Sequence, residues 1–191
     1  MSSRGFLLII TAPSGAGKTS IYKRLLELRD DIKFSVSYTT RKKRPGERDG
    51  VDYYFITREE FKRKIENGDF LEWAEVHGEL YGTERDQVIR CINEGYICLL
   101  DIDVQGALKV MKDKTLDYVS IFIEPPSIEE LESRLRKRDT ETEESIKLRI
   151  KNAMKELEYK NYFNYIVVND VLDRAVNEIS SIIDKEKRKR G

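Results

Sequence analysis

The segment that most constrains the fold is LLIITAPSGAGKTS, residues 7–20. An apolar run suited to a buried strand stops at Thr11 and is followed by small residues and then a helical pattern. The spacing fits the phosphate-loop motif G-x-x-x-x-G-K-[ST], with Gly17, Lys18 and Thr19 as its last three positions. In such a loop, backbone N–H groups and the helix N-terminus attract phosphate oxygens. The segment therefore predicts a strand, a phosphate-binding loop and a helix.

The first position of the motif is Ala12 instead of glycine. Glycine is required only where φ is positive or a backbone must approach closely. Pro13 favours an extended conformation with negative φ at Ala12, which alanine adopts without strain. Gly15 and Gly17 remain where the loop must turn. We therefore expect a working nucleotide site formed by Ala12, Pro13, Ser14, Gly15, Ala16, Gly17, Lys18, Thr19 and Ser20. In this motif Lys18 reaches the β- and γ-phosphates, and Thr19 offers a hydroxyl to Mg²⁺.

Along the rest of the chain, short apolar runs alternate with helical patterns. Apolar strands between helices indicate an α/β fold with a parallel sheet buried on both faces. Predicted strands cover residues 6–11, 34–39, 96–100, 119–123 and 165–168, and predicted helices cover 18–29, 58–67, 84–94, 104–112, 127–138, 142–160 and 170–188. In the first helix, the apolar positions Ile21, Leu25 and Leu28 share one face. Capping-box spacings are Thr57 with Glu60, Ser127 with Glu130, and Thr140 with Glu143.

Two regions depart from this alternation. Residues 35–83 are rich in Tyr, Arg and Lys with turn signals at Gly46 and Gly50, and they indicate a small lobe of mixed strands. Residues 126–159 hold two charged helices with few apolar anchors, which is typical of a lid. We therefore predict a single domain, 1–191, with a core of residues 1–34, 84–125 and 160–191, a lobe at 35–83 and a lid at 126–159.

Asp101 ends the apolar stretch ICLLDID, residues 97–103. An aspartate at a strand end is also common as a helix cap or turn former. Beside a phosphate loop, however, we expect Asp101 to serve Mg²⁺ or the phosphates, and Thr19 and Asp101 to hold the metal, directly or through water.

Composition narrows the classes of partner. Lys plus Arg equals Asp plus Glu, at 35 each, so no net charge points to nucleic acid or membrane. We recognise no signal peptide and no apolar stretch long enough to span a membrane. Cys91 and Cys98 lie in apolar segments and are expected to be buried, reduced thiols, which favours a cytoplasmic location. The single histidine argues against histidine-based catalysis, and the tail DKEKRKRG is expected to be a solvated, fraying helix end.

The run from Arg41 to Arg44 could be a solvated basic turn or a nucleic-acid patch if it is taken alone. Together with the rest of the chain, it resembles the guanylate kinases, P-loop enzymes that transfer the γ-phosphoryl group of ATP to GMP. The matching stretches are APSGAGKTS, FSVSYTTRKKRPGERDGVDYYF, FLEWAEVHGELYGT, LLDIDVQG, RLRKRDTETEES and IVVND. The resemblance implies a P-loop kinase fold, an ATP:GMP phosphotransferase activity and ATP, GMP, Mg²⁺ and, by extension, dGMP as ligands.

The resemblance also implies the roles of individual residues. The GMP phosphate is expected to contact Arg41, Arg44, Tyr53 and Tyr81, and the base to contact Ser37, Glu72, Thr83 and Asp103. The lid arginines Arg134, Arg138 and Arg149 are expected to close over the triphosphate, although each could instead pair with a helix glutamate. Asn169 is placed near the adenine, or it caps the last helix. Catalysis is expected to depend on Lys18, Arg41, Asp101, Arg138 and Arg149.

Hydrogen-bond chemistry agrees with Glu72 as the residue that recognises the base. Guanine presents two adjacent donors, N1–H and N2–H₂, and a carboxylate can accept from both, while the hydroxyl of Ser37 or Thr83 donates to O6. Adenine has no 2-amino group and a lone pair at N1, so it would leave the Glu72 carboxylate unpaired.

Two other functions remain open from the sequence. Domains of this kind also serve as protein-binding modules that have lost parts of the loop or lid, and related kinases prefer other bases. Lys18, Thr19, Asp101 and the lid arginines are all present here, which favours the enzyme. The oligomeric state is not predicted.

Overall fold

The computed structural model describes residues 5–76, 78–137 and 142–191. The strands are β1 (Leu7–Thr11), β2 (Ile32–Phe34), β3 (Tyr38–Thr39), β4 (Tyr54–Phe55), β5 (Phe70–Val76), β6 (Glu79–Glu84), β7 (Ile97–Asp101), β8 (Tyr118–Glu124) and β9 (Tyr165–Val168). The helices are α1 (Lys18–Leu28), α2 (Arg58–Glu66), α3 (Arg85–Asn93), α4 (Val104–Val110), α5 (Ile128–Arg136), α6 (Glu143–Leu157) and α7 (Leu172–Arg190), with a 3₁₀ turn at Lys160–Tyr162.

The central sheet runs in the order β2-β7-β1-β8-β9, and all of its pairs are parallel. Alternate residues of β1 enter different cores, because successive side chains of a strand point to opposite faces. Leu8 and Ile10 pack with residues of α1 and α7, whereas Leu7 and Ile9 pack with residues of α3 and α4. The predicted parallel sheet buried on both faces is confirmed.

The register of this sheet brings two predicted site segments together. Ile10 of β1 lies opposite Asp101 of β7, so the phosphate loop and Asp101 both follow the carboxyl ends of adjacent strands. This edge is where α/β sheets bind ligands. In α1, Ile21 and Leu25 are fully buried, whereas Leu28, the last residue of the helix, is 54% exposed.

The prediction of one strand over residues 34–39 is wrong. β2 ends at Phe34 in the central sheet, and β3 begins at Tyr38 in a second sheet of order β4-β3-β6-β5. Between them, the Ser35 N–H still bonds to Leu99 of the central sheet, whereas the Ser37 carbonyl already accepts from Tyr54 of the second. The chain therefore changes sheets within three residues, and both halves have the apolar pattern of a strand.

The two helices of the predicted lid, α5 and α6, share a small apolar cluster of their own. It contains Leu131, Leu135, Ile146 and Ala153. Thr57 and Glu60 form the predicted capping box of α2, and Ser127 caps α5 through the N–H of Glu130. α6 is capped by Thr142, which accepts from the N–H of Ser145, so the predicted box of Thr140 and Glu143 is wrong. Thr140 itself lies outside the described residues.

The end of α7 is held to the core, so the prediction of a fraying tail is wrong. Arg190 makes two hydrogen bonds to Asp117, at 2.7 and 2.8 Å, and its guanidinium lies 4.7 Å from the centre of the Phe6 ring. Glu186 is buried and accepts a bond of 2.6 Å from the Tyr165 hydroxyl. Cys91 and Cys98 are free and buried, as predicted. Within the described residues, no helix has both the length and the apolar character needed to cross a bilayer.

Two carboxylates on this side of the molecule are strongly acidic. Burial acts to raise the pKa of Asp31, but hydrogen bonds from Arg29 and Lys187 outweigh it and lower the pKa to about 2. Burial likewise acts to raise the pKa of Glu186, but a hydrogen bond from Lys189 acts against it, and the pKa is lowered to about 2. A carboxyl group whose pKa is lower in the folded than in the unfolded state stabilises the fold at high pH, and loses this effect as pH falls toward the folded pKa.

We therefore expect Glu186→Gln to destabilise the protein at pH 7, and the difference in unfolding free energy to shrink between about pH 4.5 and pH 2. Urea denaturation at a series of pH values measures this difference. Glu178→Gln, at an exposed position of the same helix, is the control and is expected to show little pH dependence. A Glu186→Gln difference that stays constant down to pH 3 would contradict the assignment.

Candidate active site

The phosphate loop has the backbone that its glycines predict. Gly15 and Gly17 both have φ of 91°, a left-handed conformation that favours glycine. Gly17 is the N-cap of α1, so the loop leads directly into the N-terminus of that helix. The loop lines a cavity of about 320 Å³, called here the loop pocket. Its lining residues are Ala12, Pro13, Ser14, Gly15, Gly17, Lys18, Thr19, Ser20, Asp103 and Glu156.

Lys18 lies across the base of this pocket. Its Nζ is 2.5 Å from Oδ1 of Asp101 and donates to the Ile102 carbonyl at 3.0 Å. The ammonium group is thus held at the end of β7 in this structure. Because both partners lie at the carboxyl end of the neighbouring strand β7, the parallel register brings Lys18 and Asp101 together.

Tyr22 lies between the loop and the lobe. Burial, followed by the charge of Asp101, raises its pKa to about 12, so the phenol stays protonated. The ring stacks on Phe34 at 5.2 Å between ring centres.

Asn169 supports the phosphate loop through a hydrogen bond to the loop backbone. It is buried, and its Nδ2 donates to the Ala16 carbonyl at 2.7 Å. Arg134 of α5 donates to the backbone carbonyl of Asn169 at 3.0 Å and to Glu130 at 2.9 Å. The N-cap of α7 is Val171, so the alternative that Asn169 caps this helix is wrong. Through Arg134, helix α5 of the predicted lid therefore contacts Asn169, the residue that supports the phosphate loop.

We expect Asn169→Ala to raise the KM for ATP about tenfold, because the buried Ala16 carbonyl loses its donor. Inorganic triphosphate, which has no adenine, should become a weaker competitive inhibitor by a similar factor. Asn177→Ala, at an exposed position of α7, is the matched control. If the KM for ATP rises while inhibition by triphosphate is unchanged, Asn169 acts on the adenine and not through the loop.

The lobe and the core enclose a second cavity of about 710 Å³, called here the lobe pocket. Asp103 lines both pockets, so they adjoin at the start of α4. Asp103 is the N-cap of this helix and accepts from the N–H of Gly106 at 2.6 Å. Of the residues predicted to contact a second nucleotide, Ser37, Tyr53, Glu72, Tyr81 and Asp103 line this pocket.

Glu72 is the buried carboxylate of the lobe pocket, with 9% of its surface exposed. A shift in the pairing of β5 and β6 between Phe70 and Glu72 sets Glu72 opposite Thr83, whose hydroxyl donates to Oε1 at 2.8 Å. Burial raises the pKa of Glu72, and the hydrogen bond from Thr83 partly opposes that effect. Thr83 is fully buried and supports Glu72 here. A ligand that donates two hydrogen bonds would stabilise this carboxylate.

The predicted anion site is partly assembled. Arg41 makes two bonds to Glu47, at 2.7 and 3.0 Å, and lies 5.4 Å from the centre of the Tyr53 ring. The rings of Tyr53 and Tyr81 meet edge to face at 5.9 Å. Arg44 is exposed, and its backbone N–H donates to Glu47 at 2.7 Å. The structure therefore brings Arg41, Tyr53 and Tyr81 together and leaves the Arg44 side chain at the rim.

The lid contacts the phosphate loop directly. Arg149 Nη1 donates to the Ser14 hydroxyl at 3.2 Å. A Cβ atom at Gly15 would lie 2.9 Å from Leu135 and 3.0 Å from Leu131, so the lid packs closely on the loop. Arg138, the third predicted lid arginine, lies outside the described residues.

Sequence reasoning missed three residues in or beside these pockets. Glu47 holds Arg41, and only its place in the segment RPGE could have indicated it. A Cβ atom at Gly106 would lie about 3 Å from the carboxylates of Asp103 and Glu72, so glycine allows them to approach α4. Glu156 enters the loop pocket from α6, a helix with many glutamates.

Comparison with known proteins decides the family. The guanylate kinase family model matches residues 4–186. The chain is 53% identical over 186 residues to a guanylate kinase of Thermotoga maritima, which covers 97% of this chain and 89% of that protein. The chain belongs to the guanylate kinase family. A guanylate kinase of Clostridium perfringens is also 53% identical over 186 residues, covering 97% of this chain and 86% of that one.

A solved guanylate kinase shares the fold. The crystal structure of guanylate kinase from Anaplasma phagocytophilum has a TM-score of 0.78, with 38% identity, and covers 97% of this chain and 87% of that one. The predicted α/β fold with a parallel sheet flanked by helices is therefore confirmed. Among the described residues, no three His, Cys, Asp or Glu side chains cluster as a metal site.

Proposed function

We propose that this chain carries out the reaction of its family, ATP + GMP ⇌ ADP + GDP, with ATP phosphates in the loop pocket and GMP in the lobe pocket. The observation that carries the proposal is the buried Glu72 carboxylate in a cavity that adjoins the phosphate loop at Asp103. The two pockets give one site for a triphosphate and one for an acceptor nucleotide.

The lobe pocket supports recognition of guanine. The Glu72 carboxylate accepts from N1–H and N2–H₂, and Thr83 orients it through the 2.8 Å hydrogen bond. Ser37, also in the pocket lining, is the hydroxyl available to donate to O6. Adenine would leave the Glu72 carboxylate without these donors, and such sites can reject the wrong analogue by about 10⁴–10⁵. In this proposal no residue of the pocket is assigned to the ribose 2′-hydroxyl, so dGMP is expected to be a substrate.

The GMP phosphate is placed by Arg41, Arg44, Tyr53 and Tyr81 in this proposal. Glu47 holds the Arg41 guanidinium in place. A dianionic phosphate between the two phenols would accept from the guanidinium N–H donors that Glu47 does not use. The acceptor oxygen is already anionic, so transfer needs no general base. Catalysis is then positioning and charge stabilisation, with Lys18 moving from Asp101 to the phosphates, and with Arg149, Arg134 and Arg138 closing from the lid.

The residues also fit a magnesium ion. Mg²⁺ in kinases is bound by one or two side chains, with phosphate oxygens and waters completing the shell. The Thr19 hydroxyl in the loop pocket and the Asp101 carboxylate at the end of β7 are donors of the right type. When bound, Mg²⁺ would neutralise charge on the β- and γ-phosphates.

A set of acceptors tests the proposed function. ADP formation is measured with ATP and Mg²⁺ in the presence of GMP, dGMP, AMP or UMP, and again without the metal. We expect turnover with GMP and dGMP, very little with AMP or UMP, and a strong dependence on Mg²⁺. Absence of GMP-dependent ADP formation would contradict the proposal and favour a binding module.

A further inference from the structure

Glu156 brings a negative charge into a pocket built for anions. It lies in the last turn of α6, and its side chain lines the loop pocket with Lys18 and Asp103. Burial raises the pKa of Glu156, and the nearby Ser14 N–H acts in the opposite direction. Its Oε2 is buried and has no hydrogen-bond partner in the described part of the chain. None of the expected roles of the site uses this carboxylate.

Glu156 and Arg149 both approach the same loop residue. Arg149 donates to the Ser14 hydroxyl at 3.2 Å, and Glu156 faces the Ser14 N–H. The two side chains are seven residues apart, about two turns of α6, so they lie on one face of the helix. One cation and one anion of the lid therefore approach Ser14 at the edge of the loop pocket.

The charge of Glu156 has opposite effects with and without nucleotide. Without nucleotide, a carboxylate supplies the negative charge that N–H groups of a phosphate loop and Lys18 attract. With a triphosphate in the pocket, the same carboxylate is close to several negative oxygens, and like charges in a partly buried site repel strongly. Burial and the charge of Asp103 already raise the pKa of Glu156, while Ser14 and Lys18 lower it.

We propose that Glu156 is an internal anion of the ATP site, which competes with the triphosphate for the loop pocket and is displaced by it. The inference rests on the proposed function of the loop pocket as the ATP phosphate site. Displacement of Glu156 makes ATP binding and movement of α6 a single step. Glu156 is thus a positioning residue that lowers the affinity for ATP and makes lid closure depend on ATP binding.

Glu156→Gln is the test, because it removes the charge and keeps the size of the side chain. We expect titration calorimetry to show about tenfold tighter binding of ATP with Mg²⁺, and a smaller gain for ADP. GMP affinity should be unchanged, since GMP binds in the other pocket. Glu158→Gln is the matched control, because Glu158 is an exposed carboxylate beside the same helix end and does not line the pocket.

A purely structural role predicts a different result. Loss of a stabilising contact would weaken ATP binding, or change ATP and ADP binding equally, and either outcome would overturn the inference. Unchanged ATP affinity in folded Glu156→Gln protein would also overturn it. If that variant does not fold, Glu156→Ala is measured with the same nucleotides and must show the same order, with a larger gain in affinity for ATP than for ADP. These binding measurements need no phosphoryl transfer, so they can fail or succeed independently of the GMP reaction.

Discussion

Replacing Glu72 by glutamine is expected to lower kcat/KM for GMP by roughly 10²–10³-fold and to leave the KM for ATP nearly unchanged. A carboxylate accepts from both guanine donors, whereas the glutamine amide can offer only one acceptor and turns an N–H₂ group toward the base or toward Thr83. Selection of GMP over AMP should fall by a similar factor. Steady-state kinetics with GMP and AMP measure both quantities.

Glu75→Gln is the control for this experiment. Glu75 lies on the same strand, but its side chain is exposed and pairs with Arg58 at 3.2 Å. The control should retain the kinetics of the unmodified enzyme. If Glu72→Gln stays within about threefold of that enzyme for GMP, the role assigned to the carboxylate in base recognition is wrong.

Replacing Lys18 by alanine is expected to lower kcat on the order of 10²–10³-fold, because a preorganised cation is lost from the charge that develops on the phosphates. GMP affinity should change little, since Lys18 lines the loop pocket and does not line the lobe pocket. Single-turnover kinetics measure the first effect, and calorimetry with GMP alone measures the second.

Lys33→Ala provides the matched control, because Lys33 pairs with Glu94 on the surface of the core. Its kcat is expected to equal that of the unmodified enzyme. Loss of GMP binding in folded Lys18→Ala protein would show that the two pockets are not separate sites for donor and acceptor.

Much of the core follows from local patterns in the sequence. The apolar run of β1 predicts a strand buried on both faces. Gly15 and Gly17 predict the turns of the loop, and in the structure both have φ of 91°, a conformation that favours glycine. The capping box of Thr57 and Glu60 is likewise a local hydrogen-bond pattern. These features depend on residues within a few positions of one another.

The errors lie where distant partners decide the structure. An apolar pattern over residues 34–39 indicates a strand, but it does not say that Leu99 and Tyr54 bind successive parts of it in different sheets. The tail of α7 has a charged sequence, which does not show that Arg190 bonds to the distant residue Asp117. Such contacts join residues far apart in the chain.

The candidate site shows the same division. Lys18 and Asp101 could each be assigned to the phosphate end of the site from the motif and the strand end, because parallel strands bring their carboxyl ends to one edge. Glu156 could not be distinguished from the other glutamates of α6, since only the packing of that helix on Ser14 directs it into the loop pocket.

The path of the phosphoryl group tests the central claim most directly. The enzyme is incubated with Mg²⁺, GMP and ATP labelled at the γ-phosphate, and the products are separated by ion-exchange chromatography. We predict that the label appears in the β-phosphate of GDP, with one GDP formed for each ADP. Label found only in inorganic phosphate, or ADP formed at the same rate without GMP, would contradict the assignment of the two pockets.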